Sequence, residues 1–421
     1  MSMSRCHVCW QVNVFVLGFL PHPNTHFSLS FMKIRSFWVL LHRYTGLAMT
    51  AFLIIVGLTG SLLAFLPELE KVINPQWSVQ SINEPLLEPI VFIEHASAID
   101  PQLKVNAVRL SDTVAKVLVS PSKSVQASFN QLLFNPYNGD LIGQRNQGDI
   151  SQGISELMPF IYKLHYALAL DDLGLWLLGM TALVWTLDCF VGFYLTLPPA
   201  KPKKSSVISL KPRSFWQRWQ PAWLIKWSAS KTRITFDLHR SGGLWLWIAL
   251  LVFAWSSVFM NLGSVYTPVM QAVSDYHQPW TEIPDLPQSL TEPTISWQQA
   301  YDIAQSELSK LSAEQGIRII SPAGFWINRA KGFYVYAVKS STDIQDHGGQ
   351  TRIVIDATTG IVKMNLLGTG QYSGNTITTW LMALHMANVW GLPYKIFVCV
   401  LGLVIVMLSV TGVLIWWKKR R

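Results

Sequence analysis

The sequence predicts a helical membrane protein with four transmembrane helices in a parallel tandem repeat and two α+β modules outside the membrane. Half of the 421 residues are hydrophobic and only 14% are charged, a balance too apolar for a soluble chain of this length. Four apolar runs are long enough to cross a bilayer. In addition, histidine-containing segments recur at matching intervals in the two halves of the chain, as expected of an internal repeat.

The charge distribution orients the predicted spans, which are residues 37–66, 173–197, 234–262 and 396–417. Nine Lys and Arg and no acidic residue fall between Pro198 and Arg233, and the sequence ends in Lys-Lys-Arg-Arg. Positive charge collects in short cytoplasmic segments, so we expect the basic loop and both termini in the cytoplasm. The net charge of +9 therefore indicates membrane topology and not nucleic-acid binding.

These spans divide the chain into eight segments. Residues 1–31 fit poorly, because their apolar run is too short to span a bilayer, and we expect a mis-assigned start or a tail. The other segments are the first transmembrane helix (32–67), outer module one (68–156), an outer histidine segment with the second transmembrane helix (157–198), the basic cytoplasmic loop (199–233), the third transmembrane helix (234–262), outer module two (263–378), and an outer histidine segment with the fourth transmembrane helix (379–421).

Both outer modules are predicted to contain a β-hairpin with a glycine-closed turn. Residues 132–142 turn at Asn-Pro-Tyr-Asn-Gly, and residues 352–364 turn at Asp-Ala-Thr-Thr-Gly. Asx at the start of a turn and glycine near its end favour a short connection with one residue at positive φ. Strands are also expected at 115–119 and 332–338, and an amphipathic helix at 296–311. The modules contain no cysteine, so they must fold without disulfides.

Four histidines lie where the chain enters or leaves its predicted spans. His42 stands in Leu-His-Arg-Tyr-Thr-Gly-Leu and His239 in Leu-His-Arg-Ser-Gly-Gly-Leu. His165 lies 27 residues before a glycine, and His385 lies the same 27 before another. Ionisable residues at membrane segments are rare and suggest function. Two-fold symmetry would bring His42 opposite His239 near the inner surface, and His165 opposite His385 near the outer surface.

Two imidazoles facing each other are the axial ligand set of a low-spin b-type haem, so we expect two b-type haems. Covalent c-type attachment is excluded because the sequence has no Cys-x-x-Cys-His. A zinc site would require four ligands in one cluster. The competing interpretation is four interfacial histidines that only snorkel or cap helices, and the repeat makes that interpretation the weaker one.

Residues beside the histidines are secondary candidates. Arg43 and Arg240 follow the first pair and would neutralise haem propionates, or else anchor the inner surface. Gly46 and Gly243 lie four residues after their histidines, on the same helix face, where they leave room for a flat ring. Asp188 is a carboxylate inside the second span; it would serve a proton path or hydrogen-bond a ligand, although Leu408 is its counterpart in the repeat.

The paired Leu-His-Arg segments, the Asp-Ala-Thr-Thr-Gly hairpin and the final Thr-Gly-Val-Leu-Ile-Trp-Trp resemble the PepSY-associated transmembrane helix family over nearly all of 32–421. The resemblance implies an iron-regulated protein of the bacterial inner membrane with periplasmic PepSY-like modules. It also implies two haems held by transmembrane histidines, carried over here to His42, His165, His239 and His385. Some relatives act as siderophore-iron reductases and carry a fused reductase domain. Because nothing follows Arg421, we expect a separate cytoplasmic donor or a quinol.

We therefore expect transmembrane electron transfer that reduces a periplasmic Fe(III) chelate, such as a ferrisiderophore, and releases Fe(II). Three alternatives stay open at this point: electron transfer to another periplasmic acceptor, a non-enzymatic membrane protein whose PepSY-like modules bind peptides or regulate a partner, and passage of the chelate itself. The visible spectrum separates the redox interpretations from the non-enzymatic one.

Overall fold

The computed structural model describes residues 34–100, 103–120, 129–199 and 213–420. The 1–31 extension and part of the basic 199–233 loop therefore lie outside the described residues. In chain order, the α-helices are α1 (Ile34–Leu63), α2 (Leu66–Ile73), α3 (Pro89–Ile99), α4 (Leu157–Ala167), α5 (Asp171–Thr196), α6 (Phe215–Trp219), α7 (Lys231–Trp245), α8 (Trp247–Asn261), α9 (Gly263–Val273), α10 (Pro279–Glu282), α11 (Trp297–Gln315), α12 (Ser373–His385) and α13 (Gly391–Lys418).

Helices α1, α5 and α13 are each long and apolar enough to cross a membrane, so the chain is a membrane-embedded helical protein. Each begins within a few residues of the predicted span. The third predicted span is not continuous, because α7 and α8 meet at Leu246 with a bend of 69°. The bend follows Ser241-Gly242-Gly243, and glycine–serine pairs are a usual cause of sharp helix kinks.

Small residues allow the apolar helices to approach closely. Helix α1 packs along α13, and α5 packs along α8. At the α1–α13 crossing, a β-carbon added to Gly57 would lie 2.8 Å from the carbonyl oxygen of Gly402. Ser61 on α1 also donates a hydrogen bond to the carbonyl oxygen of Cys399, at 2.9 Å. Close backbone approach and interhelical hydrogen bonds are what hold helices together in lipid.

Strands from both hydrophilic segments form one eight-stranded antiparallel sheet. The strands are β1 (Lys104–Leu110), β2 (Ala115–Ser120), β3 (Gln131–Phe134), β4 (Leu141–Arg145), β5 (Ile319–Asn328), β6 (Phe333–Ser340), β7 (Thr351–Asp356) and β8 (Val362–Leu366). Their order is β4-β3-β2-β1-β5-β6-β7-β8. Each half of the chain contributes four consecutive strands, which follow one another outward from the centre of the sheet. At the centre, β1 pairs with β5 in antiparallel orientation.

Helices α3 and α11 cover one face of this sheet. Ile93 and Ala96 of α3, and Ala304 and Leu308 of α11, pack in a single core with alternate residues of both strand sets. Helix α11 begins at a capping box formed by Ser296 and Gln299. The predicted hairpins are therefore present, but the two separate modules expected from the sequence share one sheet and one core. Strands β1 and β5, whose pairing joins the two halves of the sheet, were not predicted.

The opposite face of the sheet and its loops contact the elements next to the apolar helices. Arg145 of β4 forms an ion pair with Glu70 of α2, directly after α1. In the β6–β7 loop, the amide of Asp346 donates to the carbonyl of Asn388, and its carboxylate accepts from the amide of Gly391. These bonds fix the loop at the start of α13, a few residues after His385.

Candidate haem-ligand pairs

The structure brings together both predicted histidine pairs. The ring centroids of His42 and His239 are 6.1 Å apart, and those of His165 and His385 are 6.2 Å apart. Two metal–imidazole bonds of about 2.0 Å each separate the coordinating nitrogens by about 4 Å. Adding the half-widths of the two rings gives centroids about 6 Å apart. Both pairs therefore have the spacing of two imidazoles that share one metal.

Each of the four imidazoles uses Nδ1 for a bond within the protein. His42 Nδ1 lies 2.9 Å from Asp188 Oδ1. His239 Nδ1 lies 3.0 Å from the carbonyl oxygen of Leu408 and 3.1 Å from Thr411 Oγ1. A carboxylate and a carbonyl only accept, so both Nδ1 atoms carry the proton.

The same assignment holds in the second pair. His165 Nδ1 lies 2.9 Å from Thr59 Oγ1, whose own proton is donated to the carbonyl of Ile55. His385 Nδ1 lies 2.7 Å from Ser256 Oγ, which likewise donates to a backbone carbonyl in α8. Both hydroxyls therefore accept from Nδ1–H. Each of the four Nε2 atoms is left with a bare lone pair and, among the described residues, with no hydrogen-bond partner.

Metal-ligating histidines show this pattern, in which the non-ligating ring N–H is donated to a carboxylate, carbonyl or similar acceptor. These acceptors were not predicted, apart from the suggestion for Asp188, but matching sequence intervals contain a signal for them. Thr59 and Ser256 each follow the histidine of their own half, His42 or His239, by 17 residues. Asp188 and Leu408 occupy matching positions in the two halves, and each accepts a hydrogen bond from a histidine Nδ1. Asp188 accepts with its carboxylate, and Leu408 accepts with its backbone carbonyl.

The His42/His239 pair opens onto a cavity of about 480 Å³, within the size range of cofactor sites. Gly46 and Gly243 line it, and a β-carbon at Gly46 would meet nothing within 4 Å. Gly192 and Gly412 pack against the imidazoles. A β-carbon on Gly192 would lie 3.4 Å from Cε1 of His42, and a β-carbon on Gly412 would lie 3.4 Å from Cε1 of His239. Glycines thus make room for the imidazoles and leave open space in the cavity beside them.

Cationic side chains line one part of this cavity, and they are Arg35, Arg43, Arg240 and Lys419. The predicted candidates Arg43 and Arg240 are among them. Arg240 also forms an ion pair with the fully buried Asp237, at 2.8 Å, so its charge is already partly balanced. Asp237 also binds Arg233. This ion-pair group was not predicted and gives Arg240 a structural role in addition to any contact with a ligand.

The two pairs lie near opposite ends of α1. Thr59, which contacts His165, follows His42 by 17 residues on the same helix, or about 25 Å at 1.5 Å per residue. Among the described residues, no group of three or more His, Cys, Asp or Glu is placed to hold a metal ion. The four histidines therefore form two separate pairs and not one cluster.

The family model of the PepSY-associated TM region matches residues 39–419. No curated protein matches the chain. The matched range contains all four histidines and the whole sheet, so the chain belongs to this family and the predicted resemblance is confirmed.

Proposed function

We propose that this member of the PepSY-associated TM family holds two b-type haems and transfers electrons across a bacterial inner membrane to a periplasmic Fe(III) chelate. The observation that carries the proposal is the shared arrangement of the four histidines, each with Nδ1–H donated inward and Nε2 free, in two pairs 6.1 and 6.2 Å apart. A haem bound in this way would carry one electron, and its axial ligands, hydrogen bonds and burial would set its reduction potential.

In this proposal the chain crosses the membrane four times as a parallel repeat, with the bent α7–α8 pair as the third crossing. Both termini and the basic loop lie in the cytoplasm, and the sheet lies in the periplasm. The charge distribution supports this orientation. His42 and His239 then face the cytoplasmic donor, a protein or a quinol, while His165 and His385 lie beneath the sheet. Arg43, together with the part of the Arg240 guanidinium that Asp237 leaves free, would bind the propionates of the first group.

The residues of this chain perform three tasks in the proposed reaction. The Nδ1 acceptors hold each imidazole in one tautomer and orientation. Apolar side chains such as Trp185 and Trp247 line the first site and would shield the faces of a bound haem from water. The sheet presents a docking surface beside the second pair, through the contacts of the β6–β7 loop. Reduction releases iron because hard oxygen chelators hold Fe(III) far better than Fe(II).

The test is re-oxidation of purified, dithionite-reduced protein under anaerobic conditions. We expect ferric chelates to restore the oxidised spectrum rapidly, and an equal concentration of a disulfide or of a gallium(III) chelate to leave the protein reduced. Gallium(III) has the charge and size of Fe(III) but accepts no electron, so it is the matched control. Equal rates with the disulfide and the ferric chelate would contradict the assigned acceptor, while leaving electron transfer in place.

A further inference from the structure

One cross-strand row of the sheet holds two arginines with two small residues between them, and Lys116 of β2 is paired with the first arginine on its other side. Arg109 of β1 lies opposite Gly324 of β5, Gly324 lies opposite Ala337 of β6, and Ala337 lies opposite Arg352 of β7. Directly opposed residues project from the same face. This is the face not covered by α3 and α11, because Phe325, next to Gly324, belongs to the core on the other side. A hydrogen and a methyl group thus form the floor between two long cationic side chains, and the Arg109 side chain lies along it, with Cδ and Nη1 at 3.5 and 3.6 Å from where a β-carbon on Gly324 would stand.

Tryptophan side chains hold the two guanidinium groups over this floor. The Cζ atom of Arg109 lies 3.8 Å from the centroid of the Trp326 ring, and that of Arg352 lies 5.8 Å from the same ring. Arg352 is also 5.9 Å from the ring of Trp280. Both guanidinium groups therefore approach the same Trp326 ring, Arg109 from β1 and Arg352 from β7. Cation–π contacts fix the guanidinium planes and leave N–H groups for a ligand.

The two charges lack an anionic partner. Within the described ranges, neither Arg109 nor Arg352 forms an ion pair with a carboxylate, and the buried Nε of Arg352 has no hydrogen-bond partner. Desolvation chiefly, and the charge of Arg352 secondarily, lower the pKa of Arg109 to about 10, although part of its side chain stays exposed. Asp343 acts on Arg352 from a distance, but its oxygens already accept from Thr351 and from the amide of Gln350.

The fold itself does not require arginine at these positions. The centre of the sheet lies at the Val108–Phe325 pair, so the counterpart of Arg109 in the other half is Trp326. By the same register, the counterpart of Arg352 is Gln131 of β3. The two halves have the same strand order, but the positions related by symmetry to Arg109 and Arg352 hold a tryptophan and a glutamine, so the cationic pair is not repeated. An asymmetric ligand explains this difference better than the packing of a symmetric sheet.

We propose that Arg109 and Arg352 together bind a small anionic ligand that carries carboxylate or catecholate oxygens. Guanidinium forks pair with such planar oxygen groups in a bidentate way, and the two indole rings provide apolar walls. This inference rests on the proposed function in identifying the ligand as an anionic Fe(III) chelate. It narrows the substrate from ferric chelates in general to those with net negative charge.

The test is isothermal titration calorimetry of the purified, haem-loaded protein with redox-inert gallium(III) chelates. We expect gallium(III) citrate to bind, and a cationic gallium(III) trihydroxamate to bind at least about tenfold more weakly. Arg109→Gln and Arg352→Gln should each weaken citrate-complex binding by about tenfold or more, as expected for loss of one charged hydrogen bond. Arg109→Lys should lose less, because the charge remains. Arg318→Gln, an exposed arginine just before β5, is the charge-matched control and should bind as the wild type does.

Equal binding of the anionic and cationic complexes, or unchanged affinity in both glutamine variants, would overturn the site. Loss of haem from these variants, with chelate affinity retained, would also overturn it, because the arginines would then hold haem carboxylates. The site and the proposed function fail separately. Chelate binding by a protein without haem absorption leaves the site and removes the function, whereas haem without chelate binding does the reverse.

Discussion

Replacing His42 or His165 by alanine is expected to remove about half of the haem bound by the purified protein. Each variant deletes one of the two imidazoles of one pair, whose ring centroids are 6.1 or 6.2 Å apart. The remaining imidazole would then be the only histidine ligand at that site. The other site keeps both ligands and its Nδ1 acceptors. The measurement is haem per polypeptide from the absorption spectrum of the pyridine complex, with His347→Ala as the control, since His347 is exposed on the β6–β7 loop.

Double variants test the pairing itself. His42→Ala with His239→Ala removes both ligands of one site, so it should lose no more haem than either single variant. His42→Ala with His165→Ala affects both sites and should lose nearly all of it. If the first double variant lost all haem and the second only half, the two sites would be joined in the wrong pairs. Unchanged haem content in every alanine variant would remove the ligand assignment.

Asp188→Asn is expected to raise the reduction potential of one of the two haems by about 50 mV. The buried Asp188 carboxylate accepts from His42 Nδ1 at 2.9 Å and makes that imidazole a stronger electron donor, which favours the oxidised iron. A hydrogen bond to a charged acceptor exceeds a neutral one by about 1 kcal/mol, and for a one-electron couple 59 mV corresponds to a tenfold change in equilibrium constant. Redox titration followed in the visible spectrum measures both potentials.

Comparison of the two halves, and of a second carboxylate on α5, provides the controls. In the other half the corresponding acceptor is the carbonyl of Leu408, so the His239 side of the same site has no carboxylate to lose. Asp172→Asn removes an exposed carboxylate from the same helix α5 and should leave both potentials unchanged. A lowered potential, or a shift no larger than that of Asp172→Asn, would contradict the role of Asp188 as the acceptor that makes His42 a stronger ligand.

The pairing of the four histidines could be predicted from the sequence because the histidines recur at matching intervals in the two halves of the chain. The interval between His42 and His239 equals the interval between their neighbours Gly46 and Gly243, so symmetry identifies the partners without a structure. The Nδ1 acceptors are harder to predict. Thr59 and Ser256 are ordinary helical hydroxyls in sequence, and the acceptor at Leu408 is the backbone carbonyl of an apolar residue, which gives no polar signal.

Local features of the fold could likewise be predicted from the sequence, whereas long-range features could not. The hairpins that turn at Gly139 and Gly360 were predicted, because glycine at φ of 77° and 74° gives a local signal. Strands β1 and β5 pair with each other across more than 200 residues, and no turn residue reports such a pairing. The 69° bend between α7 and α8 was also missed, because hydropathy measures the length of an apolar run and not its direction.

The most direct test of the central claim is the visible spectrum of the wild-type protein, purified from haem-sufficient cells, together with its haem content per chain. Two haems per chain are expected, with a sharp Soret band and paired α and β bands in the reduced state that are typical of low-spin iron with two axial imidazoles. A protein without a Soret band, or with high-spin bands at both sites, would contradict the assignment of His42, His239, His165 and His385 as two axial pairs.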